Sequence, residues 1–213
     1  MAGHRDWVRS VAFSPDCAKV LSASDDRTAR LWSLESGECL RTLQGHRYHV
    51  RSAAFSPSGT LMLTASTDEK AKLWSADTGE CLRTLDGHLA GVLSAAFSPD
   101  GSSVVTASTD TVAKLWRTET GECYRTLAGH RDRLYSAVFS PDGVLVLTVS
   151  MDTVAKMWRA DSGECIRTLV GHRDALYSCA FSPNGSSVLT ASDDHTVKVW
   201  DAESGECRLV LKG

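Results

Sequence analysis

The chain repeats one unit of 42 residues five times, and no insertion or deletion separates the landmarks. Gly-His begins at residues 3, 45, 87, 129 and 171, Phe-Ser-Pro begins at 13, 55, 97, 139 and 181, and a tryptophan falls at 32, 74, 116, 158 and 200. A fixed period of this kind is typical of architectures built from stacked equivalent units. We expect one array over residues 1–213, with units at 3–44, 45–86, 87–128, 129–170 and 171–212.

The local pattern within a unit favours strands over the paired helices that a period near 42 residues also allows. In the third unit, the segments 93–97, 103–108, 112–116 and 123–127 are separated by clusters of Ser, Pro, Asp, Thr and Gly. These turn clusters recur every 8 to 12 residues and leave no room for a helix of ten residues. Four antiparallel strands per unit, repeated radially, predict a β-propeller.

Charge and composition exclude several classes of function. With 42% apolar residues in 213, the chain can bury a core. A net charge of −3 gives no reason to expect nucleic acid or an anionic membrane as partner. No apolar run approaches the ~20 residues of a membrane span, and the amino terminus does not resemble a signal peptide. We expect an intracellular protein, cytoplasmic or nuclear.

Seven cysteines raise the question of metal or disulfide chemistry. Five of them recur in Gly-Glu-Cys at the repeat period, and the other two are Cys17 and Cys179. No Cys-x-x-Cys pair is present, and equivalent positions on successive units would hold the sulfurs too far apart to bridge. We expect reduced thiols that pack as small apolar side chains, no metal site and no cofactor.

The Gly-His-Arg-Asp at residues 3–6 resembles the catalytic loop of a protein kinase, in which the Asp accepts a proton. The same four residues return at 129–132 and 171–174, and no kinase Gly-rich loop or Asp-Phe-Gly accompanies them. A catalytic loop has no reason to occur three times, so Asp6 is interpreted as a surface residue. We expect no enzymatic activity.

The landmarks together resemble the WD-repeat family over essentially the whole chain. The resemblance rests on Gly-His, Phe-Ser-Pro (extended to Phe-Ser-Pro-Asp-Gly in the third and fourth units), Ser-x-Asp and a strand ending in Trp, in that order in each unit, although only Trp200-Asp201 has the Trp-Asp pair itself. It implies an all-β propeller of five four-stranded antiparallel blades. Family propellers commonly have seven blades at about 51° each, whereas a ring of five needs about 72°. We therefore expect an open arc or slice of a larger propeller, with a strained five-blade ring or assembly with another copy as the alternatives.

The resemblance also implies a hydrogen-bonded chain of His, a hydroxyl, Asp and Trp inside each blade. A buried indole N–H needs an acceptor, and a carboxylate fixes the imidazole tautomer. The hydroxyl is open to question, since Ser24 and its equivalents lie on the same strand face. The expected sets are His4-Ser22-Asp26-Trp32, His46-Thr64-Asp68-Trp74, His88-Thr106-Asp110-Trp116, His130-Thr148-Asp152-Trp158 and His172-Thr190-Asp194-Trp200.

Three positions per unit vary between repeats and, by the resemblance, point from the narrower, upper face of the propeller. They are the third and fifth residues after His and the residue before the turn Asp. In chain order they are Trp7, Arg9, Asp25, His49, Arg51, Thr67, Gly91, Leu93, Thr109, Arg133, Tyr135, Met151, Ala175, Tyr177 and Asp193. Aromatic residues, Met and Arg are typical of contact surfaces, although drift among copied repeats would also produce variation.

These features favour a non-catalytic scaffold that binds proteins or peptides on the upper face. The alternative is a regulatory or sensor segment of a larger multidomain protein. An acidic or phosphorylated ligand has weaker support, because Asp6, Asp25 and Glu69 offset the arginines. A Ser-His-Asp hydrolase is disfavoured, because its serine would be bonded to a tryptophan inside a blade. Self-association through exposed terminal blades is also expected if the arc is open.

Overall fold

The structure of the protein is a computed structural model that describes residues 3–212, so residues 1, 2 and 213 of the expected array lie outside the described part. The described chain consists of twenty strands and contains no helix. They form five antiparallel sheets in which strands that are neighbours in sequence are also neighbours in space. The prediction of an all-β protein with five four-stranded blades is confirmed.

Each blade takes four consecutive strands, numbered here in chain order. The first blade contains β1 (Val8–Phe13), β2 (Lys19–Ser24), β3 (Thr28–Ser33) and β4 (Cys39–Gln44). The second contains β5 (Val50–Phe55), β6 (Leu61–Ser66), β7 (Lys70–Ser75) and β8 (Cys81–Asp86). The third contains β9 (Val92–Phe97), β10 (Ser103–Ser108), β11 (Ala113–Arg117) and β12 (Cys123–Leu127). The fourth contains β13 (Leu134–Phe139), β14 (Leu145–Ser150), β15 (Ala155–Arg159) and β16 (Cys165–Leu169). The fifth contains β17 (Leu176–Phe181), β18 (Ser187–Ser192), β19 (Thr196–Asp201) and β20 (Cys207–Lys212).

The turn after each Phe-Ser-Pro depends on a residue with left-handed backbone. In the third blade this is Gly101, with a φ of 74°, whose N–H donates to the Ser98 carbonyl at 2.9 Å. The Asp100 carboxylate accepts the Ser102 N–H and so closes the turn locally. The first blade has Cys17 at this position with a φ of 55°, a conformation that costs an L-residue energy that glycine avoids.

The cysteine prediction is half right. All seven thiols are free, but only Cys179 is buried, so the expectation that the thiols pack internally is wrong for the other six. The repeated cysteine begins the outermost strand of each blade, at the edge of the sheet. The Cys39 Sγ, for example, lies 3.3 Å from the Arg41 carbonyl in the same strand.

Successive blades pack face to face through apolar side chains. Between the second and third blades, Leu63 and Leu73 lie in one apolar cluster with Val92, Val104 and Trp116. Equivalent clusters join the first blade to the second, the third to the fourth, and the fourth to the fifth. The innermost strands surround a central opening whose lower mouth is lined by the Phe-Ser-Pro turns of all five blades.

The array does not close. Within residues 3–212, the inner strands pack in the order β1, β5, β9, β13 and β17, and no packing of comparable extent joins β17 back to β1. Val11 on the open side of the first blade is 67% exposed, whereas its equivalent Ala95 in the third blade is 5% exposed. The open arc is therefore confirmed over the closed five-blade ring.

Candidate partner-binding face

Each blade contains the same hydrogen-bonded cluster beneath its upper loop. In the third blade, His88 Nδ1 lies 2.7 Å from Asp110 Oδ2 and His88 Nε2 lies 2.7 Å from Thr106 Oγ1. The Trp116 indole N–H donates to the same Thr106 oxygen at 2.8 Å. The carboxylate accepts a hydrogen bond from the Nδ1–H. The imidazole Nε2 is therefore the unprotonated nitrogen and accepts a hydrogen bond from the threonine hydroxyl. The chain of donors is thus continuous from Trp116 to Asp110.

The geometry recurs in all five blades. The His–Asp, His–hydroxyl and Trp–hydroxyl distances lie between 2.7 and 2.9 Å throughout. The central hydroxyls are those of Ser22, Thr64, Thr106, Thr148 and Thr190. The alternative, Ser24 and its equivalents, bonds instead to a carbonyl of the upper loop, as Ser108 Oγ does to Ala90 at 3.0 Å.

Electrostatics fix the protonation states of this cluster. Burial lowers the pKa of His88, and the nearby Asp110 carboxylate opposes that effect without cancelling it. Burial alone would raise the pKa of Asp110, but the Leu89 N–H and His88 donate hydrogen bonds to it, and its pKa lies below the ordinary value. Near neutral pH the cluster therefore consists of a neutral imidazole and an ionised carboxylate, without a buried net cation.

The cluster offers no exposed nucleophile. The first blade does contain a Ser-His-Asp arrangement, with His4 at 2.7 Å from Ser22 and 2.8 Å from Asp26. However, Ser22 is buried and its oxygen already accepts the indole N–H of Trp32. A hydrolytic serine must reach a substrate carbonyl beside oxyanion-stabilising donors, and this one faces the blade interior.

The upper face of the first two blades contains a cationic cluster, defined here as Trp7, Arg9, Asp25, His49 and Arg51. The Arg9 Nε donates to Asp25 Oδ2 at 2.7 Å, and the Arg9 guanidinium lies 4.6 Å from the centroid of the Trp7 ring. This bond from Arg9 is the main reason that the pKa of Asp25 lies below its usual value. His49 reaches from the second blade to within 3.0 Å of the Asp25 carbonyl. Trp7 remains 69% exposed, so an aromatic surface lies beside fixed cations.

The upper face of the last two blades contains a tyrosine cluster, defined here as Tyr135, Tyr177 and Asp193. The rings of Tyr135 and Tyr177 lie 4.4 Å apart between centroids and are inclined at 48°. The Tyr177 hydroxyl donates to Asp193 Oδ2 at 2.8 Å, and this bond raises the pKa of Tyr177 to about 12. The tyrosine pair therefore spans the boundary between two blades, with Tyr177 held by Asp193.

The other predicted upper-face positions are not equally available to a partner. Arg133 and Met151 are exposed, whereas Leu93 is half-buried and Ala175 is buried. Gly91 lies so close to the second blade that a Cβ there would come within 3.1 Å of the Thr67 Cα. The third blade thus exposes none of its three upper positions, and the exposed ones lie in the other four blades.

One set of hydrogen bonds between blades was missed by the sequence reasoning. Arg41 donates to the Asp77 carbonyl of the next blade, and Arg83, Arg125 and Arg167 make the equivalent bond to the blade that follows each of them. The signal was present, because an arginine occupies the same position in four units and Leu209 occupies it in the fifth.

Comparison with known families identifies the class of protein. The family model described as "WD domain, G-beta repeat" matches residues 1–33, 37–75, 79–117, 121–159 and 163–201. These matches cover most of the chain, and the chain belongs to the WD-repeat family. No helix among residues 3–212 has the length and apolarity that a membrane crossing requires.

Similarity to individual curated proteins extends over about one unit. The chain is 50% identical over 44 residues to the probable E3 ubiquitin ligase complex SCF subunit sconB of Talaromyces stipitatus, a match of 21% of this chain and 7% of that protein. It is 47% identical over 45 residues to the nuclear distribution protein PAC1-2 of Uncinocarpus reesii, covering 21% of this chain and 10% of that protein. It is 43% identical over 42 residues to a ribosome biogenesis protein BOP1 homolog of Drosophila grimshawi, covering 20% and 5%. The matched part thus spans a tenth or less of these relatives.

Proposed function

We propose that this chain is a non-catalytic platform that binds protein or peptide partners on its upper face. The observation that carries the proposal is the contrast between two layers of the same blades. The buried layer repeats one hydrogen-bonded cluster five times, whereas the layer above it differs from blade to blade and exposes large side chains such as Trp7, Arg133 and Tyr177. Since the buried cluster does not require these exposed residues, their aromatic and cationic content supports a role in contact.

The chemistry of the two upper clusters suits a protein partner. Tyr, Trp and Arg are the residue types that most often dominate binding energy, because they combine large apolar area with polar ends. Tyr135 and Tyr177 would contribute buried area, and Arg51 would contribute forked hydrogen bonds to a carboxylate or phosphate. Neighbouring Asp25 and Asp193 reduce the net charge, which disfavours nucleic acid and favours a mixed polar and aromatic surface on the partner.

The clusters are also pre-organised. Arg9 is fixed by Asp25 and by the Trp7 ring, and Tyr177 is fixed by Asp193 and the Tyr135 ring. Side chains already held in one rotamer lose little entropy on binding. These intramolecular bonds therefore support a docking surface more strongly than the same residues would if they were mobile.

The alternative function is a regulatory or sensor segment within a larger protein. The short extent of the matches to much longer relatives favours it, as does the open arc. Relatives named for a ubiquitin ligase complex, nuclear distribution and ribosome biogenesis support a cytoplasmic or nuclear location in either case. In both functions the upper face binds a partner. They differ in whether the arc acts by itself or as one segment of a larger protein.

Affinity capture from cell extract tests the platform function. Tyr135→Ala and Arg51→Ala should each weaken capture of the bound proteins by about 1–2 kcal/mol, while the melting temperature stays that of the parent. Glu80→Ala is the matched control, because Glu80 is an exposed residue of a lower turn. If both upper-face variants recover every protein as efficiently as the parent and the control, variation at these positions reflects drift and the proposal fails.

A further inference from the structure

The lower mouth of the central opening is an apolar cavity of about 590 Å³. It is lined by phenylalanine and proline from the Phe-Ser-Pro of every blade and by small apolar residues of the inner strands, among them Ala54, Ala96 and Val138. Pro99 is exposed and Phe97 is half-buried. The volume lies within the roughly 300–1,000 Å³ that is usual for binding pockets. The mouth is therefore large enough to receive apolar side chains from outside.

Two turns of every blade lie around this mouth. Since the strands are antiparallel, the turn after the first strand and the turn after the third strand lie on the same face. The inner turns are residues 14–18, 56–60, 98–102, 140–144 and 182–186, and the outer turns are 34–38, 76–80, 118–122, 160–164 and 202–206. Every outer turn has two carboxylates, and the inner turns of the first, third and fourth blades have one each. All of them are exposed, and none of these turns contains Lys, Arg or His.

Basic residues at nearby strand ends offset only part of this charge. Lys19 helps to lower the pKa of Asp16, and Arg117 and Arg159 end their strands on the same face. Arg41 and its equivalents in the next three blades donate to carbonyl oxygens of the outer turns. Within residues 3–212, no carboxylate of the inner or outer turns forms a salt bridge. The lower face therefore has carboxylates that are free to pair with an incoming cation.

The inner carboxylates are held in place beside the apolar cavity. Asp142 directly follows Pro141, which lines the mouth. The Ser140 hydroxyl and the Val144 N–H donate to Asp142 Oδ1 at 2.5 and 3.0 Å, and these bonds hold the pKa of Asp142 below its ordinary value. Asp142 Oδ2 accepts no hydrogen bond within residues 3–212. Asp16 is bound in the same way. Ionised oxygens with spare acceptor capacity thus lie next to an apolar surface.

We propose that the lower mouth binds a basic segment of a partner protein, whose apolar side chains enter the cavity and whose Lys or Arg side chains pair with the carboxylates of the surrounding turns. Nucleic acid, anionic lipid or an acidic peptide would be repelled by these carboxylates. An ammonium or guanidinium group, in contrast, supplies the charged donors that the free carboxylate oxygens accept. This surface lies on the face opposite the upper clusters, so the proposal is independent of binding there.

A fluorescent synthetic peptide in which lysine and leucine alternate is the probe, and fluorescence anisotropy with dilute protein measures its binding. One control peptide has glutamate in place of lysine, and the other has serine in place of leucine. The parent protein should bind the lysine–leucine peptide. It should bind each control peptide at least about tenfold more weakly, because one lacks the cations and the other lacks the apolar side chains.

A variant without the inner carboxylates locates the binding site. It combines Asp16→Asn, Asp100→Asn and Asp142→Asn. Folding should be retained, because the fifth blade already has Asn184 at this position, where its Oδ1 accepts the Ser182 hydroxyl and the Ser186 N–H. This lower variant should bind the lysine–leucine peptide about tenfold more weakly than the parent, since three exposed ion pairs together contribute about one power of ten in affinity.

The matched control combines Asp6→Asn, Asp132→Asn and Asp174→Asn, which removes the same charge from exposed residues of the upper loops and should leave peptide binding unchanged. If the lower variant does not fold, Pro141→Lys, at an exposed residue of the mouth, should weaken binding instead. A parent that fails to bind the peptide overturns the proposal. Equal binding by the lower variant and the upper control also overturns it, as does equal binding of the serine peptide. The assay does not use the upper clusters, so its outcome is separate from that of the affinity capture.

Discussion

The third blade and the terminal blades share one repeated sequence but bury different fractions of it. Val92 on the inner strand of the third blade is fully buried, whereas the equivalent Val8 of the first blade is half exposed. The strand pairing within these blades follows the same antiparallel pattern. Hydrogen bonds between strands therefore form each blade by itself. A neighbouring blade is needed to bury the apolar side chains that stabilise that blade.

The largest difference in stability should come from replacing the same leucine of the repeat in the third and in the fifth blade. Leu127 is fully buried between the third and fourth blades, and Leu127→Ala should reduce the free energy of unfolding by about 2–5 kcal/mol. Leu211→Ala removes an exposed side chain and should change it by no more than about 0.5 kcal/mol. Urea unfolding of dilute protein measures both. Equal losses would mean that the fifth blade is as well covered as the third.

The next largest loss of stability should come from removing the carboxylate of the buried cluster in the third blade. Asp110→Ala leaves His88 and the Leu89 N–H without their acceptor, and it should cost about 1–3 kcal/mol of unfolding free energy. Glu119→Ala, in an exposed turn, is the control and should change little. If both variants unfold like the parent, the hydrogen-bonded cluster does not stabilise the blade.

The same cluster predicts a loss of stability in acid. The pKa values of His88 and Asp110 both lie below their ordinary values in the folded chain, so the unfolded chain binds more protons. Stability should therefore fall as the pH drops below about 6.5, where unfolded histidine is protonated, and again below about 4, where unfolded aspartate is protonated. Urea unfolding at a series of pH values measures the trend, and a stability that rose on acidification would contradict the assigned neutral imidazole.

The smallest effect should appear at the turn of the first blade. Cys17 has left-handed backbone where the four other units have glycine, so Cys17→Gly should stabilise the protein by about 0.5–1 kcal/mol. The reciprocal change, Gly101→Cys in the third blade, should destabilise it by a similar amount. Thermal unfolding compares the pair, and a Cys17→Gly variant that melts earlier than the parent would show that this turn is not strained.

Much of the fold could be predicted because its signals lie within a single unit. Turn residues and strand patterns located the strands of the third blade to within one residue, with 93–97 and 112–116 observed as Val92–Phe97 and Ala113–Arg117. The contacts that could not be predicted cross between blades. The stacking of Tyr135 on Tyr177 and the bond from Arg41 to the next blade depend on the rotation between sheets, which no local pattern encodes.

Exposure of the repeated cysteines was missed for a related reason. The strand that begins with Cys39 is the outermost of its sheet, and Leu43 is its only buried residue. Sequence shows which residues can be buried. The position of a strand in the arc decides which of them are buried.

Amide hydrogen exchange, read by mass spectrometry on peptides from each blade, tests the open arc most directly. The measurement uses dilute protein, so that self-association does not cover the open faces. The account predicts slow exchange in β10 and β11 of the third blade and markedly faster exchange in the equivalent β18 and β19 of the fifth, although both pairs make antiparallel ladders of the same register. Equal protection of all five blades would contradict the open arc and would indicate a closed ring.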